Sequence, residues 1–378
     1  MRERVLITGA RAPAALDIAR SFAAAGFDVH MADCVASRMA QWSRAVKGVH
    51  RYPSPRDNPA GFREAIVGLV ERLKPRLVVP TCEEVFHLAM MGDAPAQLFA
   101  PEWPVLQRLH SKAMFAEDCA ALGLPVPETT VLASREDRDA FRTTASDYVF
   151  KREYSRFGTR TLIGPTPEEL ETVSPSPRER WVAQRRVRGG EVSFYAFSVG
   201  SRLTAFAAYR STWRFAGGAG YAFEPLEAAL AERIRALAET LADKLISRGQ
   251  FACDLMIDAD GAPWLLECNP RATSGAHFFG RSAELARAML GEASVVGDAS
   301  RRHVAPALWA YGLRDGRRRG EWRRARREGA DVISAKGDAA PVLGALIDTM
   351  AFGAKALASS KSLVEVTTAD IEWNGEEL

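Results

Sequence analysis

The chain has 378 residues, 47% of them hydrophobic and 26% charged, with a formal net charge of +3. That length is too great for one ordinary core, so two or three domains are expected. So small a net charge gives no case for a nucleic-acid or membrane-surface partner. Five cysteines (Cys34, Cys82, Cys119, Cys253, Cys268) are scattered with no CxxC spacing. They suggest neither a zinc site nor a disulfide framework, and a reduced cytoplasm fits. No apolar run approaches the length of a membrane span.

In chain order, "RVLITGA" reads as a strand and a turn, and "PAALDIARSFAAAGF" as a helix with Pro13 in its first turn and Gly26 at its end. "DVHMADC" is a strand, "PAGFREAIVGLVERLKP" a helix, "RLVVPT" a strand and "EEVFHLAMM" a helix. The βαβαβα alternation predicts a parallel sheet with helices on both faces. Near 101–110 the pattern changes, and "SKAMFAEDCAALGLPVPET" gives a short helix closed by Gly123. Strands then dominate from 128 to 290, except for one helix at about 227–248. Leu230, Ile234, Leu237, Leu241 and Leu245 recur there at helical spacing, with Gly249 as the stop. The tail carries a basic stretch, "RDGRRRGEWRRARRE", which is either a solvated face or a site for an acidic partner.

The segment "FACDLMIDADGAPWLLECN" places two strand-like runs around Asp260-Gly261, a two-residue hairpin signal. With that loop Ile257 faces Trp264 and Asp254 faces Glu267. Opposed carboxylates about 5 Å apart repel unless a proton or a cation lies between them. Asn269 shares the face of Glu267. Asp254, Glu267 and Asn269 therefore form an oxygen-rich set suited to magnesium that carries substrate phosphates. A one-residue slip would send the carboxylates to opposite faces.

"YVFKREYSRFGTRTLI" is strand, loop, strand. Lys151 ends the first strand, and the loop offers Ser155 and Gly158 where a backbone could approach phosphate. The GK[ST] step of a Walker motif is missing, and a plain hairpin turn explains the glycine equally well. Lys112 opens the helix after the boundary. "WVAQRRVRGGEVSFYAF" is a strand, a break and a strand. The break after Gln184 can offer backbone groups to an adenine edge, and Glu191 can accept from ribose hydroxyls.

The order is specific: Lys112, Lys151 with its loop, Gln184-x-x-Val187, Glu191, Asp254, then Glu267-x-Asn269-Pro270-Arg271. It resembles the ATP-grasp superfamily over roughly residues 1–295, with a parallel α/β domain in front. The resemblance implies an α/β plus α+β chain. A Rossmann-like pre-ATP-grasp domain would span 1–105, a two-lobed ATP-grasp domain 106–295 with its hinge near 181–191, and a C-terminal region of unknown role 296–378. It further implies that ATP is bound by Lys112, Lys151, Ser155, Gly158, Gln184, Arg185, Val187 and Glu191. Mg2+, with Mn2+ as the substitute, would sit on Asp254, Glu267 and Asn269. Arg271 and Lys151 would serve the chemistry, Arg271 facing an acyl-phosphate. Two departures stand out: Gln184 where Glu is frequent, followed by Arg185-Arg186, and Asp254 where Glu is frequent.

The implied activity is ATP-dependent joining of a small carboxylic or amino acid to an amine. Arg210, Arg214, Arg271, Ser274 and Gly275 are candidates to hold the acid. A homodimer is common in that family. The alternatives are a bicarbonate-phosphorylating enzyme of the carbamoyl-phosphate and biotin-carboxylase branch, for which a second synthase half and a biotin carrier are expected, and a silent nucleotide-binding protein. A dinucleotide-binding oxidoreductase, with Asp33 as ribose acid, lacks the full G-x-G-x-x-G after Gly9.

Overall fold

The computed structural model describes residues 2–155, 161–215, 218–312, 318–359 and 362–376. The chain opens with β1 (Arg4–Thr8), α1 (Pro13–Ala24), β2 (Asp28–Asp33), α2 (Arg38–Gln41), β3 (Val46–Arg51), α3 (Pro59–Leu73), β4 (Leu77–Pro80) and α4 (Glu84–Met90). The four strands form a wholly parallel sheet in the order β3-β2-β1-β4. Pro13 starts α1, and Asn58 caps α3 by accepting from Gly61 N–H. β3 has no counterpart in the βαβαβα reading. Its sequence, VKGVHR, alternates exposed and half-buried residues, so it carries no apolar run to betray it.

Two helices follow, α5 (Trp103–His110) and α6 (Lys112–Ala121). A second sheet, antiparallel throughout, holds β5 (Thr129–Leu132), β6 (Tyr148–Arg152), β7 (Leu162–Ile163) and β8 (Trp181–Arg185) in the order β5-β8-β6-β7. The short helices α7 (Arg135–Asp139) and α8 (Pro167–Leu170), each opened by a capping box, cover it.

The large sheet is built from β9 (Gly190–Val199), β10 (Leu203–Arg214), β11 (Gly220–Pro225), β12 (Arg248–Ile257) and β13 (Pro263–Asn269), with α9 (Ala228–Lys244) packed on it. β9 is buried on both faces. Its even residues Val192, Phe194 and Ala196 pack with Ile234, Ala238 and Leu241 of α9. Its odd residues Tyr195 and Phe197 join Ile18 and Phe22 of the N-terminal part in another core. The odd face is therefore packed against the N-terminal part. α9 ends at Lys244 rather than at Gly249. Gly249 lies inside β12 at φ +129°, and a Cβ there would stand 2.6 Å from Pro101. The glycine answers to a backbone close approach, not to a helix stop.

The chain then runs through a 3-10 turn, 274–279, and α10 (Glu284–Met289), β14 (Val295–Val296), β15 (Arg301–His303), α11 (Ala305–Gly312), α12 (Arg319–Glu328), β16 (Gly329–Asp331), α13 (Ala340–Ser359) and α14 (Leu363–Val366). β15 and β16 extend the large sheet beyond β11. Residues after 337 return to the N-terminal part, where Asp338 binds Arg20 and Ser43. By length and composition alone, α13 is long and apolar enough to cross a membrane, with a mean hydropathy of 1.3, although it holds no unbroken apolar run of that length. Asp348 and Lys355 interrupt its apolar letters and hide it from a search for unbroken runs. Leu343, Met350 and Leu357 of α13 are exposed.

Candidate active site

β12 and β13 carry the acids. Asp254 pairs with Glu267, Cys253 with Cys268 and Ala252 with Asn269. Directly paired residues share a face, so Asp254, Glu267 and Asn269 do stand together. The route to this register differs from the two-residue turn. Ile257 pairs with Pro263 and Met256 with Trp264, so the loop spans 258–262, closed by Asp258 N–H donating to Ala262 O. That shifts the pairing by one. A bulge between Leu255/Leu265 and Asp254/Glu267 shifts it back, leaving Leu266 as the extra residue. The bulge also turns the Leu266 carbonyl to the site, where Lys151 Nζ (3.5 Å) and Gln184 Nε2 (3.4 Å) approach it.

Glu267 Oε2 lies 3.6 Å from Lys112 Nζ and 3.5 Å from Lys151 Nζ. Both lysines are buried and come from separate elements. Ser111 caps α6 by accepting from Met114 N–H, which sets Lys112 in the first turn. Its ammonium also donates to Ser155 O (2.9 Å) and Ser155 Oγ (3.2 Å). Lys151 is carried by β6, in register with Val182 of β8. Burial pushes the Glu267 carboxyl up, but Lys112 and Lys151 outweigh it and hold the pKa well below the carboxylate range. Burial lowers the Lys112 pKa, with Glu267 opposing. Asp254 shifts the other way: burial first, then the charge of Glu267, raise it. It accepts from Ser193 Oγ (2.6 Å) and Asn269 Nδ2 (3.3 Å).

Arg271 follows β13. Its Nε donates to Glu83 (2.8 Å) and an Nη to Asn269 Oδ1 (3.2 Å). Burial works against its charge, and Glu83 outweighs burial. Glu83 stands at the head of α4, just beyond the C-terminal end of β4, where open α/β sheets place ligand contacts. The Glu83-Glu84 pair after a parallel strand was the available signal; Ser193 and Thr129 (3.1 Å from Gln184 Nε2) gave none.

The residues expected at the hinge divide. Gln184 is buried at the end of β8 and faces the Leu266 carbonyl. The Arg185 side chain is exposed and lies over Tyr148. The Arg185 and Arg186 N–H groups donate to Glu128 O and Asp147 O. Val187 lies in the break between β8 and β9. Glu191 stands on the odd face of β9, ion-paired with Arg214 at 2.6 Å. Arg214 gets there through irregular pairing at Ser211/Trp213 and Trp213/Arg214. Arg210 is exposed on the opposite face from Tyr209, paired in register with Glu224. Gly275 packs on Tyr195, whose Cβ would lie 2.2 Å from an added Cβ, and Ser274 opens the 3-10 turn. Gly158 lies outside the described residues. Asp33 is taken by Arg11, through its backbone N–H (2.9 Å) and guanidinium (2.5 Å), so the ribose acid of an oxidoreductase is already occupied.

Residues 109–275 match the model of the ATP-grasp domain. The fold is similar to phosphoribosylamine–glycine ligase from Thermotoga maritima, with TM-score 0.61 and 18% identity over 79% of this chain and 78% of that one. It is also similar to L-amino acid ligase from Bacillus licheniformis (TM-score 0.60, 14% identity, 77% and 76% covered). A third likeness is to N5-carboxyaminoimidazole synthetase from Staphylococcus aureus complexed with ADP (TM-score 0.62, 12% identity, 84% and 87% covered). No curated protein matches the chain by sequence.

Proposed function

We propose, from the premise that residues 109–275 are an ATP-grasp domain, that this protein is an ATP-dependent carboxylate–amine ligase acting on a small carboxylic or amino acid. The observation that carries the reading is the Glu267 cluster. Two buried ammonium groups from separate elements converge on one carboxylate, which itself opposes a second carboxylate. Such a cluster is suited to polyphosphate: the lysines can pass from Glu267 to phosphate oxygens without leaving the cleft.

In this reading Lys112, Lys151 and Ser155 bind the ATP phosphates, Gln184 and Val187 meet the adenine, and Glu191 the ribose. With two hinge amides already spent on Glu128 and Asp147, the adenine contact falls to Val187 rather than Arg185. Asp254, Glu267 and the Asn269 amide are a hard-oxygen set that fits Mg2+ or Mn2+. When bound, the ion would neutralise phosphate charge. Transfer of the γ-phosphoryl group to the acid gives an acyl-phosphate and ADP. The amine then attacks the carbonyl carbon, the C–O bond to phosphate breaks with its electron pair, and the amine loses a proton. Lys151 and Arg271 would stabilise the transferring group, Arg271 being aimed by Glu83 and Asn269. In this reading Arg214, now ion-paired with Glu191, would meet the acid. Arg210, on the other face, is not assigned to it.

The test is ADP release from MgATP across paired amino acids, with mass spectrometry of any amide. Amine-dependent ADP release with an amide of matching mass is expected. ADP release with bicarbonate and no amine would replace this reading with the carboxylase branch. MgADP binding without turnover in any pair would leave a silent nucleotide-binding protein.

A further inference from the structure

The C-terminal segment runs across the N-terminal part and ends at the back of the nucleotide site. Arg11 donates to Thr367 O (2.8 Å) and pairs with Asp370 (2.6 Å). Ser54 Oγ donates to Asp370 O (2.7 Å), and Arg56 holds both Glu372 and Glu376. These anchors deliver Trp373, 3% exposed, into a nest of rings. Its ring lies 4.9 Å from Trp103, 4.9 Å from Tyr154, 5.7 Å from Phe86 and 6.1 Å from His110.

Those four residues belong to three pieces that build the site. Phe86 is in α4, whose leading residue Glu83 grips Arg271. Trp103 and His110 are in α5, which runs directly into Ser111 and Lys112. Tyr154 lies between Glu153 and Ser155, and the carbonyls of both accept from Lys112 Nζ (3.4 and 2.9 Å). Glu153 O also accepts from Lys112 N–H (3.3 Å), and its carboxylate from Ser111 Oγ. Trp373 thus touches α5, which leads into Lys112, and Tyr154, whose neighbours' carbonyls aim Lys112, and it does so from a segment far away in sequence.

We propose that Trp373 is a positioning residue for the nucleotide phosphates: by holding Tyr154 it sets the 153–155 backbone that directs Lys112 at Glu267 and at bound phosphate. This rests on the nucleotide reading above. The lysine stem is flexible, so its ammonium goes where its acceptors are. A backbone shift of about 1 Å at 153–155 would relax both carbonyl contacts, and displacement on that scale can cost a hundredfold in a positioned reaction.

The experiment is calorimetric titration of the full-length protein with MgADP, well below the thermal midpoint of each variant. W373A is expected to weaken MgADP binding by about tenfold, and W373F, which keeps a ring in the nest, to stay within about threefold of the unmodified protein. The W373A/Y154A double variant is expected to bind no more weakly than Y154A alone, because the two act through one contact. Should W373A fail to fold, W373L keeps part of the apolar volume without a ring and carries the same expectation. Binding by W373A or W373L within twofold of the unmodified protein, with only the thermal midpoint lowered, would reduce Trp373 to a packing residue and overturn the proposal. Absence of MgADP binding by the unmodified protein would instead sink the nucleotide reading, and this one with it.

Discussion

Glu267 among the buried lysines and Glu328 on the outer surface each gather more than one cation. Glu328 collects Arg301, Arg324 (3.0 Å) and Arg327 (3.4 Å) on and beside α12. Among the described residues Glu267 collects two lysines, both farther off at 3.5 and 3.6 Å. By distance alone the surface cluster is the better bonded. Water reverses that order, because exposed pairs are screened and keep mobile side chains. The buried lysines cannot find a substitute for their partner, so each change there leaves a charge stranded. Much of the basic stretch "RDGRRRGEWRRARRE" belongs to the solvated kind. Arg318 pairs with Glu321 and stacks on Trp213, Arg324 and Arg327 pair with Glu328, and Arg326 lies over Trp309 and Trp322.

The sharpest way to break this contrast is Lys151→Ala. It should lower MgATP-dependent ADP formation a hundredfold or more, the loss typical of removing one donor from a charge-stabilising site. A drop under tenfold in steady-state ADP release would show that Lys151 is structural. Next comes Glu83→Ala, which leaves Arg271 buried beside a lost partner. We expect a loss of about 2 kcal/mol in denaturant unfolding, below the range for a fully buried pair because Arg271 retains some exposure. Glu83→Gln should recover part of that loss.

A third handle is pH. Burial lowers the His87 pKa to about 4, against about 6.5 in an unfolded chain. Between those values the unfolded state binds a proton that the folded state refuses. Stability should therefore fall as pH drops from about 6.5 to about 4, by at most about 1.4 kcal/mol per pH unit from this group. His87→Gln should flatten that part of a stability-versus-pH curve, and an unchanged slope would remove His87 as its source. The smallest effect belongs to Glu328→Gln, which should leave the thermal midpoint unchanged at physiological salt despite three arginine partners.

The two walls of the cleft were unequally legible. The acid wall could be read because hairpin pairing is local: Asp254 and Glu267 lie 13 positions apart and a turn lies between them. Even so, the agreement came through two opposite shifts, a loop longer than the one expected and a bulge at Leu266 that restored the register. Lys112 and Lys151 were visible only by their order along the chain, since a lone lysine carries no pattern. Ser193 and Trp373 were not visible as site residues at all, and Glu83 only through its place after a parallel strand, because each meets its partner across more than 60 positions of sequence.

Periodicity was enough to determine the parallel first sheet, the strand-rich middle and the face shared by Glu267 and Asn269 along one strand, since each depends on neighbours within a few dozen residues. Tertiary structure alone decided which cations reach Glu267, that Arg210 looks away while Arg214 meets Glu191, and that the C-terminal segment returns to pack behind Lys112. Those outcomes depend on how separate sheets and helices dock, and docking is set by packing and burial of distant surfaces, which no local pattern encodes.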